Sequence, residues 1–211
     1  MGVSGGGRER AEALLLDLDG VLRVFDPSAV AAVERRHGLG DGVILRSALA
    51  WSRLRPAVAG ETSHAAWLES IVADLSDAAG GAKPAWSAVR EWYADRGEVV
   101  PEVLAFVRRV RSAGIPVGLA TNATSTLDDE LATLGLTGEF DVIVNSSVIG
   151  YHKPTREFYA TACVAVRTEP PQCFFVDDVD RNVRGARVAG LSAFRWTGPD
   201  DLPYLEAALG L

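Results

Sequence analysis

The sequence predicts an α/β protein: a sheet of buried parallel strands alternates with helices, and a helical insertion interrupts the order once. Three observations carry this reading. Short apolar runs recur at Leu14 to Leu18, Pro116 to Ala120, Val142 to Val144, Cys173 to Val176 and Ser192 to Trp196, the form taken by strands covered on both faces. Between them lie Pro101 to Ala113, Thr124 to Leu134, Thr155 to Val166 and Val179 to Ala189, with apolar residues at helical spacing and several closed by glycine. The stretch from about Asp26 to Glu98 breaks the alternation, offering helical segments such as Pro27 to His37 and Ser63 to Leu75 but no strand.

Taken in chain order, Met1 to Arg10 is glycine-rich and then charged, and residues 1–12 read as a flexible tail. The first apolar run is short and already contains Asp17, so no signal peptide is visible. Gly6 stands where a myristoylation signal wants Ser or Thr. No stretch is long enough to span a membrane. The first strand then delivers Asp17-Leu18-Asp19-Gly20, and the helical insertion follows. Four of the five tryptophans, Trp51, Trp67, Trp86 and Trp92, fall in that insertion. A subdomain this small needs large side chains to make any core, so they read as packing residues rather than a substrate grip.

Composition narrows the function. A chain of 211 residues, 48% hydrophobic, can bury one full core and a smaller one beside it. A net charge of −7 and a pI near 5.0 argue against a nonspecific nucleic-acid or acidic-membrane binder, which needs a positive excess. The two cysteines, Cys163 and Cys173, sit in apolar settings, so no disulfide framework is expected and a reducing cytoplasm is the simplest compartment.

The chemistry lies at the strand ends, where parallel sheets bind their ligands. Asp17 ends an apolar run, and burying an ionised carboxylate is costly unless something pairs with it. The second strand ends in Thr121-Asn122, a hydroxyl and main-chain N–H groups at a strand-to-helix turn that can cradle an anion. Gly150-Tyr151-His152-Lys153-Pro154 follows the third strand. Of 21 basic residues only Lys83 and Lys153 are lysine, so position 153 is inferred to need a compact point charge rather than the guanidinium fork. The fourth strand runs into Asp177-Asp178, with Asn182 one helical turn beyond. Like-charged carboxylates about 4 Å apart cost about 4 kcal/mol per pair at an effective dielectric of 20. Four carboxylates against one ammonium would be relieved by a divalent cation, and oxygen-only ligands point to magnesium.

The order Asp-x-Asp-Gly, Thr, Lys-Pro, Asp-Asp resembles the four motifs of the haloacid dehalogenase superfamily, in the form with a helical cap after the first motif, over Leu14 to about Trp196. The resemblance implies a Rossmann-like five-stranded parallel sheet of order 3-2-1-4-5, formed by residues 13–25 and 99–211, with an all-helical cap at 26–98. It implies a magnesium-dependent phosphatase acting on a small phosphorylated metabolite, with Asp17 as nucleophile and Asp19 as general acid and base. Thr121 and Asn122 would hold the phosphate and Lys153 would neutralise it. Magnesium would be held by the Asp17 carboxylate, the Asp19 main-chain carbonyl and the Asp178 carboxylate, with Asp177 close by. Asn182 stands where many relatives have Asp.

Within the superfamily, dehalogenases replace the second Asp of the first motif and need no metal; Asp19 is present here. Phosphosugar mutases keep all four motifs. A response-regulator receiver places its paired acids first rather than last, and a non-catalytic relative would not need every catalytic residue intact. His37, His64 and His152 read as surface or packing residues. Arg23, four residues after Asp19, reads equally as a contact for an anionic substrate and as a solvated hinge charge.

Overall fold

The computed structural model describes residues 10–211. Most of the segment expected to be a flexible tail, residues 1–9, lies outside the described residues. Its last three are tied down: Arg10 Nε donates to Leu209 O, the Ala11 N–H to Ala208 O at 3.3 Å and the Glu12 N–H to Gln172 O at 2.8 Å.

Five parallel strands make the sheet: β1 (Ala13–Leu16), β4 (Val117–Thr121), β5 (Val142–Asn145), β6 (Cys173–Asp177) and β7 (Ser192–Arg195). Two further strands, β2 (Arg23–Val24) and β3 (Glu98–Val99), pair antiparallel in a separate ribbon. The sheet order is β5-β4-β1-β6-β7. This departs in numbering from 3-2-1-4-5 because the ribbon interposes two strands in the chain; the five parallel strands counted alone read in that order. Every residue of β1, β4 and β6 is buried, whereas the edge strands β5 and β7 are partly exposed.

Side chains alternate across a strand, so β1 feeds two cores. Leu14 and Leu16 face one layer, built on α6 (Pro101–Ser112), α7 (Leu127–Thr133) and α11 (Leu202–Leu209). Ala13 and Leu15 face the other, built on α9 (Arg156–Ala165) and α10 (Asp180–Val188). A short helix, α8 (Ser146–Ile149), follows β5; the expectations above include neither it nor α11, although Leu202, Leu205 and Leu209 of α11 stand at helical spacing. The expected helix from Thr124 is shorter than anticipated. Thr124 to Thr126 form a loop, because the Thr124 carbonyl is taken by Asn145 Nδ2 at 3.0 Å and its hydroxyl meets the Thr126 hydroxyl at 3.0 Å. Cys163 and Cys173 are buried free thiols. Among the described residues no helix is long and apolar enough to cross a membrane.

Between β2 and β3 lie α1 (Pro27–Arg36), α2 (Val43–Ala48), α3 (Trp51–Val58), α4 (His64–Leu75) and α5 (Ala82–Ala94). They enclose a third apolar cluster centred on Ile44, Ile71, Ala88 and Val89. Trp67 lies in it, with Trp86 and Trp92 packed against it, as their size requires in so small a unit. Trp51 departs from the expectation. It is 41% exposed, and its ring meets that of His152 edge-on with centroids 5.1 Å apart, while the Arg181 guanidinium carbon lies 5.7 Å from its centre. It therefore packs against the loop that carries Lys153 instead of into its own helical cluster.

Candidate active site

Asp17 follows β1 and is buried, its Oδ1 accepting from the Leu18 N–H at 2.8 Å and lying 2.7 Å from Lys153 Nζ. Asp177 closes β6 on the neighbouring strand, and its Oδ2 lies 2.7 Å from the same Nζ. Lys153 is 1% exposed. It thus sits as a buried ammonium between two buried carboxylates, an arrangement in which removing the lysine leaves both carboxylates without their counter-charge.

One cation shared by two anions leaves a surplus negative charge, and hydrogen bonding decides where it falls. Asp177 accepts from the Val179 N–H at 2.8 Å and from Asn182 Nδ2 at 3.1 Å on both oxygens, besides Lys153. Asp17 has fewer donors. Burial pushes its carboxyl up to about 8, against the pull of Lys153 and with a further push from Asp177. Burial opposes the charge on Lys153, but Asp17 and Asp177 outweigh it and hold the ammonium above its ordinary value. Asp178 is half-buried and raised, by burial first and then by Asp177.

A carboxyl raised in the folded state binds more protons than in the unfolded chain, so its stabilising contribution is present below pH ~4 and fades as pH rises through about 8. In chelator, the melting temperature is expected to fall across that window, and magnesium is expected to flatten the fall. A melting temperature that rises over the same range, or that ignores magnesium, would contradict the surplus charge.

Asn182, whose role the sequence left open, donates to Asp177 and lies in the first turn of α10. A carboxylate there would repel Asp177, whereas a carboxamide offers the donor a buried anion needs. Asn122 is similarly committed. Its Nδ2 donates to Lys153 O at 3.1 Å and its Oδ1 accepts from the Lys153 N–H at 2.8 Å, so the side chain braces the lysine loop. Thr121 is buried at the end of β4, in register with Asn145 of β5.

Asp19 sits two residues beyond Asp17 with its side chain 48% exposed. Arg23 grips it with both prongs, Nε to Oδ1 at 2.6 Å and Nη2 to Oδ2 at 3.1 Å, and reaches Glu130 Oε2 with Nη1 at 2.7 Å. Glu130 in turn accepts from the Tyr93 hydroxyl at 2.7 Å. Arg23 is 5% exposed, so it is not a solvated hinge charge; its donors are spent on carboxylates of this chain. The signal for this lay out of reach of local pattern, since Glu130 is 107 residues away.

Gly20 closes the first motif with φ at +77°, and a Cβ there would stand 2.2 Å from Asp178 Oδ2. Backbone and neighbour both demand glycine. Gly20→Ala is expected to displace Asp178, costing about 1–3 kcal/mol of stability and weakening any stabilisation of the fold by added magnesium. A variant with unchanged melting and unchanged magnesium response would refute the close approach.

Oxygens of Asp17, Asp177 and Asp178 all lie within 4.8 Å of one another. Three carboxylates without His or Cys form a hard donor set that suits magnesium.

An α/β sheet of this order, with Asp, Thr and paired Asp at the ends of β1, β4 and β6 and a buried Lys from the loop after α8, defines a hydrolase of the haloacid dehalogenase type. A family profile described as haloacid dehalogenase-like hydrolase matches residues 11–190. The chain belongs to this family. It is 28% identical over 199 residues to the validoxylamine A 7'-phosphate phosphatase of Streptomyces hygroscopicus subsp. limoneus, covering 92% of this chain and 89% of that protein. Among solved structures, the L-2-haloacid dehalogenase RSc1362 superposes with a TM-score of 0.67 at 24% identity, covering 88% of this chain and 86% of that one. A family enzyme of Bacteroides thetaiotaomicron in complex with magnesium and inorganic phosphate, an Asp-to-Ala mutant, superposes with a TM-score of 0.68 at 18% identity, covering 92% and 98%. The two structures share the fold with this chain.

Proposed function

We propose that the chain is a magnesium-dependent phosphatase that hydrolyses a small organic phosphate monoester through transient phosphorylation of Asp17. The observation that carries this is the buried Asp17 carboxylate, tethered through Oδ1 alone by Lys153 and the Leu18 N–H, beside two further carboxylates. A fixed Oδ1 leaves Oδ2 as the attacking atom. The phosphatase relative supports the reading, as does the phosphate and magnesium bound by a protein of the same fold. Asp19 argues against haloacid dehalogenation, because a halide leaves without a proton while an alkoxide profits from an acid.

In this reading Asp17 Oδ2 forms a bond to phosphorus as the ester P–O bond breaks, and Asp19 passes its proton to the departing alkoxide. Asp19 then takes a proton from water, which attacks the phosphorus of the acyl phosphate, restores the Asp17 carboxylate and frees inorganic phosphate. Arg23 holds the Asp19 carboxylate in one orientation through both steps. Thr121 and the main chain of Asn122 cradle the phosphoryl oxygens, and Lys153 offsets their charge. Asp17, Asp178 and the Asp19 carbonyl would hold magnesium, which supplies charge neutralisation between nucleophile and phosphoryl group. Asp177 stays beside the ion, its oxygens already engaged by Lys153, Val179 and Asn182. The helices of 27–94 act as the cap over the substrate, a small phosphorylated metabolite of the cytoplasm rather than a nucleic acid or a membrane lipid, in keeping with the net charge of −7.

Phosphate release from a panel of monoesters should require magnesium and stop with chelator. Asp178→Ala should raise the magnesium requirement by more than about ten-fold. Release that is indifferent to metal would sink the proposal.

A further inference from the structure

A cavity of about 490 Å³ opens between the inserted helices and the sheet, starting at Asp19 and Asn122, where the phosphate site ends. Its walls are aliphatic and aromatic: Leu45 and Leu54 from α2 and α3, Val58 at the end of α3, and Trp67 and Trp92 from α4 and α5. A ligand lodged there has its reacting phosphate at Asp19 and its alcohol portion among these side chains.

Most of the polar groups bordering the cavity have partners within the protein, while Asp26 and Asp95, also on its border, are exposed. Arg23 is divided between Asp19 and Glu130. The Thr124 hydroxyl meets His64 Nδ1 at 3.0 Å, and the Asn122 carboxamide is spent on the Lys153 main chain in both directions. Arg96 lies over the Tyr93 ring at 4.0 Å and donates to the Tyr93 carbonyl at 2.6 Å. A sugar brings several hydroxyls that each need a partner on leaving water, and among Leu45, Leu54, Val58, Trp67 and Trp92 most of them would face hydrocarbon. An alkyl or cycloalkyl group needs none and gains by burial.

Resting on the phosphatase reading, we infer that the substrate is the monophosphate of a predominantly apolar alcohol, with Leu45, Leu54, Val58 and Trp92 selecting the leaving group against polyhydroxylated sugars. This sets the chain apart from relatives named for sugar phosphates, such as the fructose-1-phosphate phosphatase of Escherichia coli, and concerns the alcohol, not the phosphoryl chemistry.

Cyclohexylmethyl phosphate and glucose 6-phosphate share a primary alkoxide leaving group and a six-membered ring of similar size, so their comparison isolates the hydroxyls. With the full chain and magnesium, kcat/KM is expected to favour the cyclohexyl ester by about ten-fold or more. Calorimetric binding of the two corresponding non-hydrolysable phosphonates should show the same preference, and Leu54→Gln should shrink it. Equal or reversed preference, or no binding of either phosphonate, would overturn the inference. Phosphonate preference without phosphate release from either ester, or from acetyl phosphate, would instead remove the phosphatase reading and leave the apolar cavity as a binding site.

Discussion

Asp17→Asn is expected to lower phosphate release by about four orders of magnitude or more, while the protein melts at the same or a higher temperature. The loss of activity follows from the loss of the nucleophile, since a carboxamide oxygen does not form the acyl phosphate and the other groups of the site only assist. The stability half is less usual. Active-site variants often lose fold and function together, but this position carries the surplus negative charge of a buried triad: one ammonium, two carboxylates, and burial that pushes the Asp17 carboxyl up to about 8. An uncharged isostere removes that surplus and keeps an oxygen for Lys153 and the Leu18 N–H. The gain in melting temperature should be largest in chelator at alkaline pH, where the wild-type carboxylate is ionised and uncompensated. Steady-state phosphate release and a thermal melt of the same sample decide both halves. Near wild-type turnover would remove Asp17 as nucleophile, and a sharply lowered melting temperature would contradict the electrostatic account.

Lys153→Met is expected to be the most destabilising of the conservative-length substitutions at the site, by about 3–5 kcal/mol, because it leaves Asp17 and Asp177 buried 2.7 Å from where their shared cation stood. Lys153→Arg should fail as well. Nζ approaches both oxygens as a point, in a space that is 1% exposed, and a planar fork cannot be seated there without moving a carboxylate. Pairing Lys153→Met with Asp17→Asn should restore part of the stability, since the double variant carries one fewer unpaired charge; the double-mutant cycle measures that coupling. Urea midpoints of the four proteins test it, and strictly additive losses would show that the lysine acts independently of Asp17.

The parts of the site that were legible in the sequence share a physical cause. Asp17, Asp177 and Lys153 stand at the ends of apolar runs or alone against the chain's preference for arginine, so chemistry disturbs a pattern that packing would otherwise set. The fold followed from the same runs, because strands covered on both faces leave continuous apolar stretches. What stayed hidden depends on partners far along the chain or on segments too short to show a period. The grip of Arg23 on Asp19 and Glu130 is a tertiary fact, as is the commitment of the Asn122 side chain to the Lys153 main chain. The ribbon strands are two residues each and cannot show alternation. Trp51 looks like its three neighbours in sequence, but its position at the head of α3 turns it toward His152 rather than inward.

The ribbon itself bears on how the chain finds this structure. β1 and β4 lie side by side although roughly a hundred residues separate them, and closing so long a loop before any contact rewards it slows folding. The pairing of Arg23 with Val99 and of Val24 with Glu98 brings the two ends of the insertion together. Once these four residues meet, the intervening helices form a closed side branch, and the core is left to join segments only a short tether apart. A chain with the insertion replaced by a brief turn between Val24 and Glu98 would face the same search for its sheet, which makes the ribbon a kinetic splice as much as a structural joint.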